Sequence, residues 1–226
     1  MTAPGGLHAA QQRVAAYYGG KVARFGPTPL GVDWTCEPTQ QLRFVQLLKV
    51  IEPGSHFTIN DFGCGYGALL PFLRQRRLAR DFDYLGLDIA QPMIDAARAL
   101  HARRRNARFE CGETPSCAAD YSVASGIFNV RLDVPDAQWR GLVMRTLRIM
   151  AASSTRAFAV NFLQPVPKDV ASPPELYRPG AQEWRRWCEK EFGWRCEVLS
   201  GYGLREFTLH CFSAATRGPA RSALPA

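Results

Sequence analysis

Two carboxylates and three glycines are the residues of this chain best suited to chemistry. Asp61 closes an apolar run and is followed at once by glycines at 63, 65 and 67, in the stretch DFGCGYG. Asp88 closes a second apolar run, DYLGLDI (83–89), about 20 residues beyond the last of those glycines. Glycines so spaced let a ligand approach the backbone with no Cβ in the way. A lone glycine pattern would equally suit a dinucleotide. A carboxylate at the mouth of the loop, however, repels a pyrophosphate and attracts an ammonium group. An acid at the end of the next strand is where a ribose diol is hydrogen-bonded. The expected ligand is a ribose carrying a cationic, phosphate-free head, and S-adenosylmethionine meets both demands. Glu113, in ECGE (110–113), could accept from an adenine amine, or it could be an ordinary loop carboxylate.

Methyl transfer from such a ligand is an in-line displacement at an already activated centre, so alignment and exclusion of water matter most. No triad is required, and none is visible. Tyr18 and Asp33, with Tyr17, belong to an N-terminal segment able to fold over the ligand, and Asn129 follows the fourth strand; Asn129, Tyr18 and Asp33 are the catalytic candidates. His8, His56, His101 and His210 read as structural, because His56 sits at the wrong end of its strand and His101 on an outer helix. Trp34 could offer its face to a sulfonium, and Arg43 could grip a carboxylate as a fork. The alternative for this pair is a core tryptophan and a surface arginine.

These residues need a frame that brings them to one edge. Strand patterns at 57–62, 83–89, 107–112, 121–128 and 156–163 are separated by helical ones at 67–78, about 92–100 and 136–150. CEVLS (196–200) and REFTLHCF (205–212) read as a closing hairpin. Before the first strand, 38–51 is helical and 21–40 irregular. The expectation is an α/β fold with a Rossmann-like, doubly wound, mostly parallel seven-stranded sheet, helices on both faces and an antiparallel hairpin strand at the C-terminal end. Ligands then bind at the carboxyl ends of the strands, where every acid above falls. A single domain is expected over 1–217, with 1–50 as a helical cap over the ligand mouth, the Pro-rich 164–190 as a lid or substrate segment, and 218–226 as a disordered tail. Trp184 and Trp187 read as packing for that segment, with Leu176 and Tyr177 as a wall for an apolar substrate or as packing too.

Composition narrows the class. Apolar residues make up 46% of 226, which allows a full core. No apolar run approaches the length of a membrane span, and the opening lacks the charged-then-apolar layout of a signal peptide. Seven scattered cysteines without close pairs suggest free thiols in a cytoplasmic protein, with no metal site. The net charge of +8 comes largely from RQRRLAR (74–80) and RALHARRRNAR (98–108). Both follow helices, where cations suit the helix dipole. They form a solvated rim, or a surface for nucleic acid, although no aromatic residues interleave with them.

With these motifs in view, the chain resembles the class I S-adenosylmethionine-dependent methyltransferases over roughly residues 38–212. DFGCGYG matches their first motif, LGLDIAQPMI resembles the second, and FECGE the adenine-side motif. GVDW, SGIFN and GYGLREFTL resemble a group of small bacterial members, some of which tailor small metabolites. The resemblance implies that Asp61, Gly63, Cys64, Gly65, Asp88, Ile89, Met93, Gly112 and Glu113 line the cofactor. It also implies that Ser125 and Gly126 face the sulfonium. Strand four ends in ASGIFN, without the Asn/Asp-Pro-Pro-Tyr sequence of enzymes that methylate exocyclic or amide nitrogens. The expected acceptor is oxygen or nitrogen, less so carbon, of a small-molecule metabolite, without a metal ion. Nucleic acid and membrane are not expected partners. The alternatives are an RNA methyltransferase or a non-catalytic cofactor-binding protein, and the chain would act as a monomer or homodimer.

Overall fold

The computed structural model describes residues 4–34, 36–76, 78–167 and 169–215; the expected disordered tail at 218–226 lies outside them. Helix α1 (Pro4–Phe25) opens the chain, followed by a 3₁₀ turn (Pro29–Val32) and α2 (Glu37–Leu48). Strand and helix then alternate: β1 (Gly54–Phe62), α3 (Leu69–Arg76), β2 (Ala79–Asp88), α4 (Gln91–Leu100), β3 (Ala107–Cys111) and β4 (Ala119–Ala124). They are followed by α5 (Asp136–Ala152), β5 (Ser154–Leu163), α6 (Ala181–Phe192), β6 (Arg195–Ser200) and β7 (Glu206–Phe212).

The seven strands form one sheet in the order β3-β2-β1-β4-β5-β7-β6. Strands β1 to β5 pair in parallel, and β7 runs antiparallel to both of its neighbours. The chain order reverses between β1 and β4, so a crevice opens at the carboxyl ends of these two strands. Local chemistry sets the boundaries. Pro38 and Pro92 stand in the first turns of α2 and α4, where a missing N–H costs nothing. Gly193 ends α6 in the left-handed conformation.

Each face of the sheet buries its own core. Phe44, Leu47, Phe57, Leu70, Phe72 and Tyr121 pack on one side. On the other lie Phe128, Trp139, Val143, Phe158, Phe162 and Trp184. β7 is buried at every residue, although it lies one strand from the edge, because β5 and β6 flank it and helices cover it.

Two stretches differ from the sequence expectation. Helix α1 runs from Pro4 to Phe25, five residues into the stretch expected to be irregular. Fixed by contacts with the 3₁₀ turn, α4 and α5, it owes its order to tertiary packing and not to periodicity, since its apolar stripe is weak. Strand four stops at Ala124 instead of continuing to Phe128, because residues 125–128 turn away around Gly126 at φ 74°.

Candidate functional site

The crevice at the ends of β1, β2, β3 and β4 holds about 140 Å³ of space and is roofed by α1, the 3₁₀ turn and the start of α2. Asp61 and Asp88 both face it. Asp61 is 3% exposed, and the Tyr84 hydroxyl donates to one of its oxygens at 2.6 Å. Burial, with Asp88's charge adding, raises its pKa to about 7, against the pull of the Tyr84 hydrogen bond. Asp88 accepts the Gly65 N–H at 3.0 Å and the Ala90 N–H at 2.9 Å. Burial raises its pKa to about 6, and these backbone donors hold it from rising further. One carboxylate thus pins the glycine loop to the end of the neighbouring strand while keeping lone pairs for a ligand.

The loop itself is shaped by glycine. At Gly63 φ is 67°, and a Cβ would lie 2.2 Å from Ile127 Cγ2, so no other residue fits without moving the β4 turn. Cys64, Gly65, Ile89, Met93, Gly112, Ser125 and Gly126 also line the crevice, as expected from sequence. Burial, with the charges of Asp88 and Asp61, holds the Cys64 thiol well above its usual range, so it is protonated and unreactive. Ser125 Oγ is buried with no protein partner, a donor and acceptor left for something in the crevice.

Glu113 also lines the crevice, in a way the sequence did not suggest. Gln11 of α1 donates to one of its oxygens and Arg145 of α5 pairs with the other. The carboxylate therefore ties the roof to the wall beside the adenine-side motif.

Four other expectations need correction. Arg43 does not point into the crevice; its guanidinium pairs with Glu206, Nε donating at 2.6 Å, and lies 3.4 Å from the centre of the Trp34 ring. A buried carboxylate 163 residues away competes for the fork more effectively than a ligand in the crevice could. Trp34 lines the crevice, but one of its faces is taken by that guanidinium. Asp33 is turned outward by a left-handed backbone (φ 61°) and holds Tyr17 Oη at 2.6 Å and Lys21 Nζ at 2.6 Å, so it latches α1 to the 3₁₀ turn. Asn129 is buried beneath the Gly126 turn and does not line the crevice; its backbone carbonyl accepts the Tyr177 N–H at 2.9 Å.

Tyr18 does reach the crevice, but its pKa is pushed up by burial and by the charges of Asp33, Tyr17 and Asp88, so it holds its proton and is unsuited to act as a base. Among the described residues, no histidine, lysine or arginine lines the space. His210, hydrogen-bonded to Gln46 O at 2.9 Å, is buried in β7 with its pKa lowered by burial to about 4. Among the described residues no three His, Cys, Asp or Glu are grouped to hold a metal ion.

Several lining residues were missed from sequence. Gln40 stands one turn before Arg43 on α2, buried, and lines the crevice with Tyr66 of the glycine loop. Its i−3 spacing from Arg43 could have pointed to it. Gln11 and Val14 of α1 and Thr146 of α5 had no local motif to mark them. None of the described residues of the segment 164–190, expected to form a lid or substrate wall, is among those that line the crevice. Leu176 bridges to Val130, Tyr177 is buried, and Trp184 is stacked on Phe162 in the core.

A crevice with carboxylates, a glycine cradle, an orphaned hydroxyl and no cation among its described residues is fitted to a cationic nucleoside and hostile to a pyrophosphate. Known proteins agree. The family described as "Methyltransferase domain" matches residues 59–152. A putative methyltransferase of Mycobacterium tuberculosis, Rv1506c, is 37% identical over 162 residues, which are 72% of this chain and 96% of that protein. The fold is similar to magnesium protoporphyrin IX methyltransferase from Synechocystis with bound S-adenosylmethionine (TM-score 0.62, 13% identity, 95% of this chain and 100% of that one). It is also similar to phosphoethanolamine N-methyltransferase 1 of Haemonchus contortus with phosphoethanolamine and S-adenosylhomocysteine (TM-score 0.65, 12% identity, 99% of this chain and 52% of that one). The chain belongs to the class I S-adenosylmethionine-dependent methyltransferases, and S-adenosylmethionine is its cofactor.

Proposed function

We propose that this methyltransferase acts on an oxygen or nitrogen atom of a small metabolite. The observation that carries this reading is the roof. Gln11, Val14 and Tyr18 of α1 line the crevice together with Val32 and Trp34, so the space beside the β4 turn is a partly enclosed pocket beneath a helix. In this reading a polymer would have to pass beneath a 22-residue helix to reach the β4 turn.

In this reading Asp88 holds the ribose diol and Glu113 borders the adenine. Asp61 and the glycine loop receive the ammonium end, with Gln40 and Tyr66 as neutral donors for the carboxylate that Arg43 cannot reach. When bound, S-adenosylmethionine supplies a methyl group on a sulfonium, whose departure as a thioether needs no acid. Ser125 and the Gly126 turn then border the point where an acceptor meets that methyl. Among the described residues no basic nitrogen lines the crevice, so an acceptor has to bring its own nucleophilic lone pair, as an amine or an acidic hydroxyl does. The walls there are apolar, with Phe44, Ile127, Phe128 and Leu142 excluding water.

The arginine clusters do not argue for RNA. Each lies at the C-terminal end of a helix that runs back from a strand's carboxyl end, so Arg74, Arg76, Arg103 and Arg104 stand at the opposite edge of the sheet from the crevice.

Incubation with methyl-labelled S-adenosylmethionine tests this directly, with a panel of phenolic, amine and carboxylate metabolites set against total RNA. Label in a low-mass product, and no RNA retention at about 0.15 M salt, is the expected result. Label in RNA overturns the reading, and so does cofactor binding with no transfer to any acceptor.

A further inference from the structure

One buried polar constellation has no part in binding the cofactor. Arg43 in α2, Asn161 in β5 and Glu206 at the start of β7 are 6%, 0% and 1% exposed. Apolar residues of the same size would pack there at least as well, because two buried charges forfeit their hydration. What they provide instead is direction. Glu206 accepts Arg43 Nε at 2.6 Å on one oxygen and Arg43 Nη2 on the other. Asn161 donates its amide to Glu206 at 3.0 Å, and its carbonyl oxygen accepts the Gly126 N–H at 2.7 Å. The Arg43 guanidinium also lies over Trp34, 3.4 Å from the centre of its ring. The edge of Trp34 rests on Gly126, with Cζ2 2.6 Å from where a Cβ would stand. The contacts close a ring that runs Gly126, Asn161, Glu206, Arg43, Trp34 and back to Gly126.

We propose that Arg43, Glu206 and Asn161 are positioning residues for methyl transfer, holding Trp34 and the Ser125–Gly126 turn as one rigid wall where the acceptor meets the methyl group. This rests on the reading that the acceptor enters beside that turn. Trp34, Ser125 and Gly126 line the crevice, whereas Arg43, Glu206 and Asn161 do not, so the three act only through the others. A turn at φ 74° and an indole packed edge-on against it would each have alternative positions if left alone. Fixing the Gly126 N–H on a carboxamide, the carboxamide on a carboxylate and the carboxylate on a planar fork removes them. In-line displacement is the kind of reaction that gains from this, since small misplacements of the reacting atoms are costly.

Trp34 is its own reporter. Its emission is isolated by subtracting, for each protein, the spectrum of the same protein carrying Trp34→Phe. The double variant Arg43→Met with Glu206→Gln removes both charges at similar volume, leaving no lone buried ion. Arg43→Lys keeps the charge pair but loses the flat group over the indole. In both, Trp34 emission is expected to shift and its quenching by acrylamide to rise several-fold. Affinity for S-adenosylhomocysteine by calorimetry should stay within about threefold of the parent, because Asp61, Asp88 and the glycine loop are untouched. Unchanged Trp34 emission and quenching in either folded variant overturns the proposal. So does a loss of affinity as large as that of Asp88→Ala, which would make the ring a support for the cofactor and not for the acceptor wall. Failure of the small-metabolite reading shows separately, as label in RNA from the parent enzyme.

Discussion

The two halves of the crevice are built in different ways. At the ends of β1 and β2, acids and glycines hold one another over short distances along the chain: Asp88 accepts the Gly65 N–H and Asp61 accepts the Tyr84 hydroxyl, each pair 23 residues apart. At the ends of β4, β5 and β7, the partners are 35, 45 and 163 residues apart, and their charges are spent on each other inside the protein. The first half presents polar groups to the crevice. The second presents a mostly apolar wall whose polar support is hidden behind it. Recognition of the cofactor is therefore a local property of this chain, and the shape offered to the acceptor is a property of the whole fold.

The contrast breaks most visibly at Glu206. Glu206→Ala leaves a buried guanidinium without its partner and is expected to cost about 3–5 kcal/mol of stability, read as a lowered denaturation midpoint. A change below about 1 kcal/mol would mean that water or another group already screens Arg43. Asp88→Ala acts on the other half. It removes the ribose acceptor and the anchor of Gly65 together, and S-adenosylhomocysteine should bind about 1–3 kcal/mol more weakly by calorimetry, with stability little changed.

The pH dependence sharpens the same comparison, because only the cofactor half titrates near neutrality. The pKa values of Asp61 and Asp88, about 7 and about 6, both lie above the 3.8 of an unperturbed aspartate. The free protein therefore holds protons that the unfolded chain releases. The stabilising contribution of these two groups is complete below about pH 4 and is lost as pH rises through 6 and 7. The cationic cofactor favours their ionised forms, so its binding should release protons near pH 6.5 and strengthen as pH rises through that range. Calorimetry in buffers of different ionisation enthalpy measures the release, and Asp88→Asn should reduce it.

The smallest expected effect is at the hinge between roof and wall. Arg145 and Glu113 are 52% and 30% exposed, so Arg145→Ala should change stability by less than about 1 kcal/mol. Stopped-flow measurement should nevertheless show S-adenosylhomocysteine leaving a few-fold faster, because Glu113 then holds α1 alone through Gln11.

The same division explains what could be read from sequence. Asp61, Asp88 and the glycines were legible because strand periodicity places them at strand ends and their charges discriminate between ligands without knowledge of the tertiary structure. The sheet was legible for a related reason, since alternating strands and helices admit few topologies. Arg43 was misread because its partner lies 163 residues on, in a strand that gave no sign of a buried carboxylate. Asp33 was misread because a left-handed backbone turned it from the crevice toward Lys21 and Tyr17. The α1 residues of the roof were illegible because the helix is held by tertiary contacts, and nothing near Gln11 in the chain predicts Glu113.

A crystal structure of the protein with S-adenosylhomocysteine tests the central claim most directly. The account predicts ribose hydroxyls on the Asp88 carboxylate, the amino group beside Asp61, the sulfur facing the Ser125–Gly126 turn, and α1 in place above them. A ribose bound away from Asp88, or α1 displaced to leave an open groove across the strand ends, would contradict it.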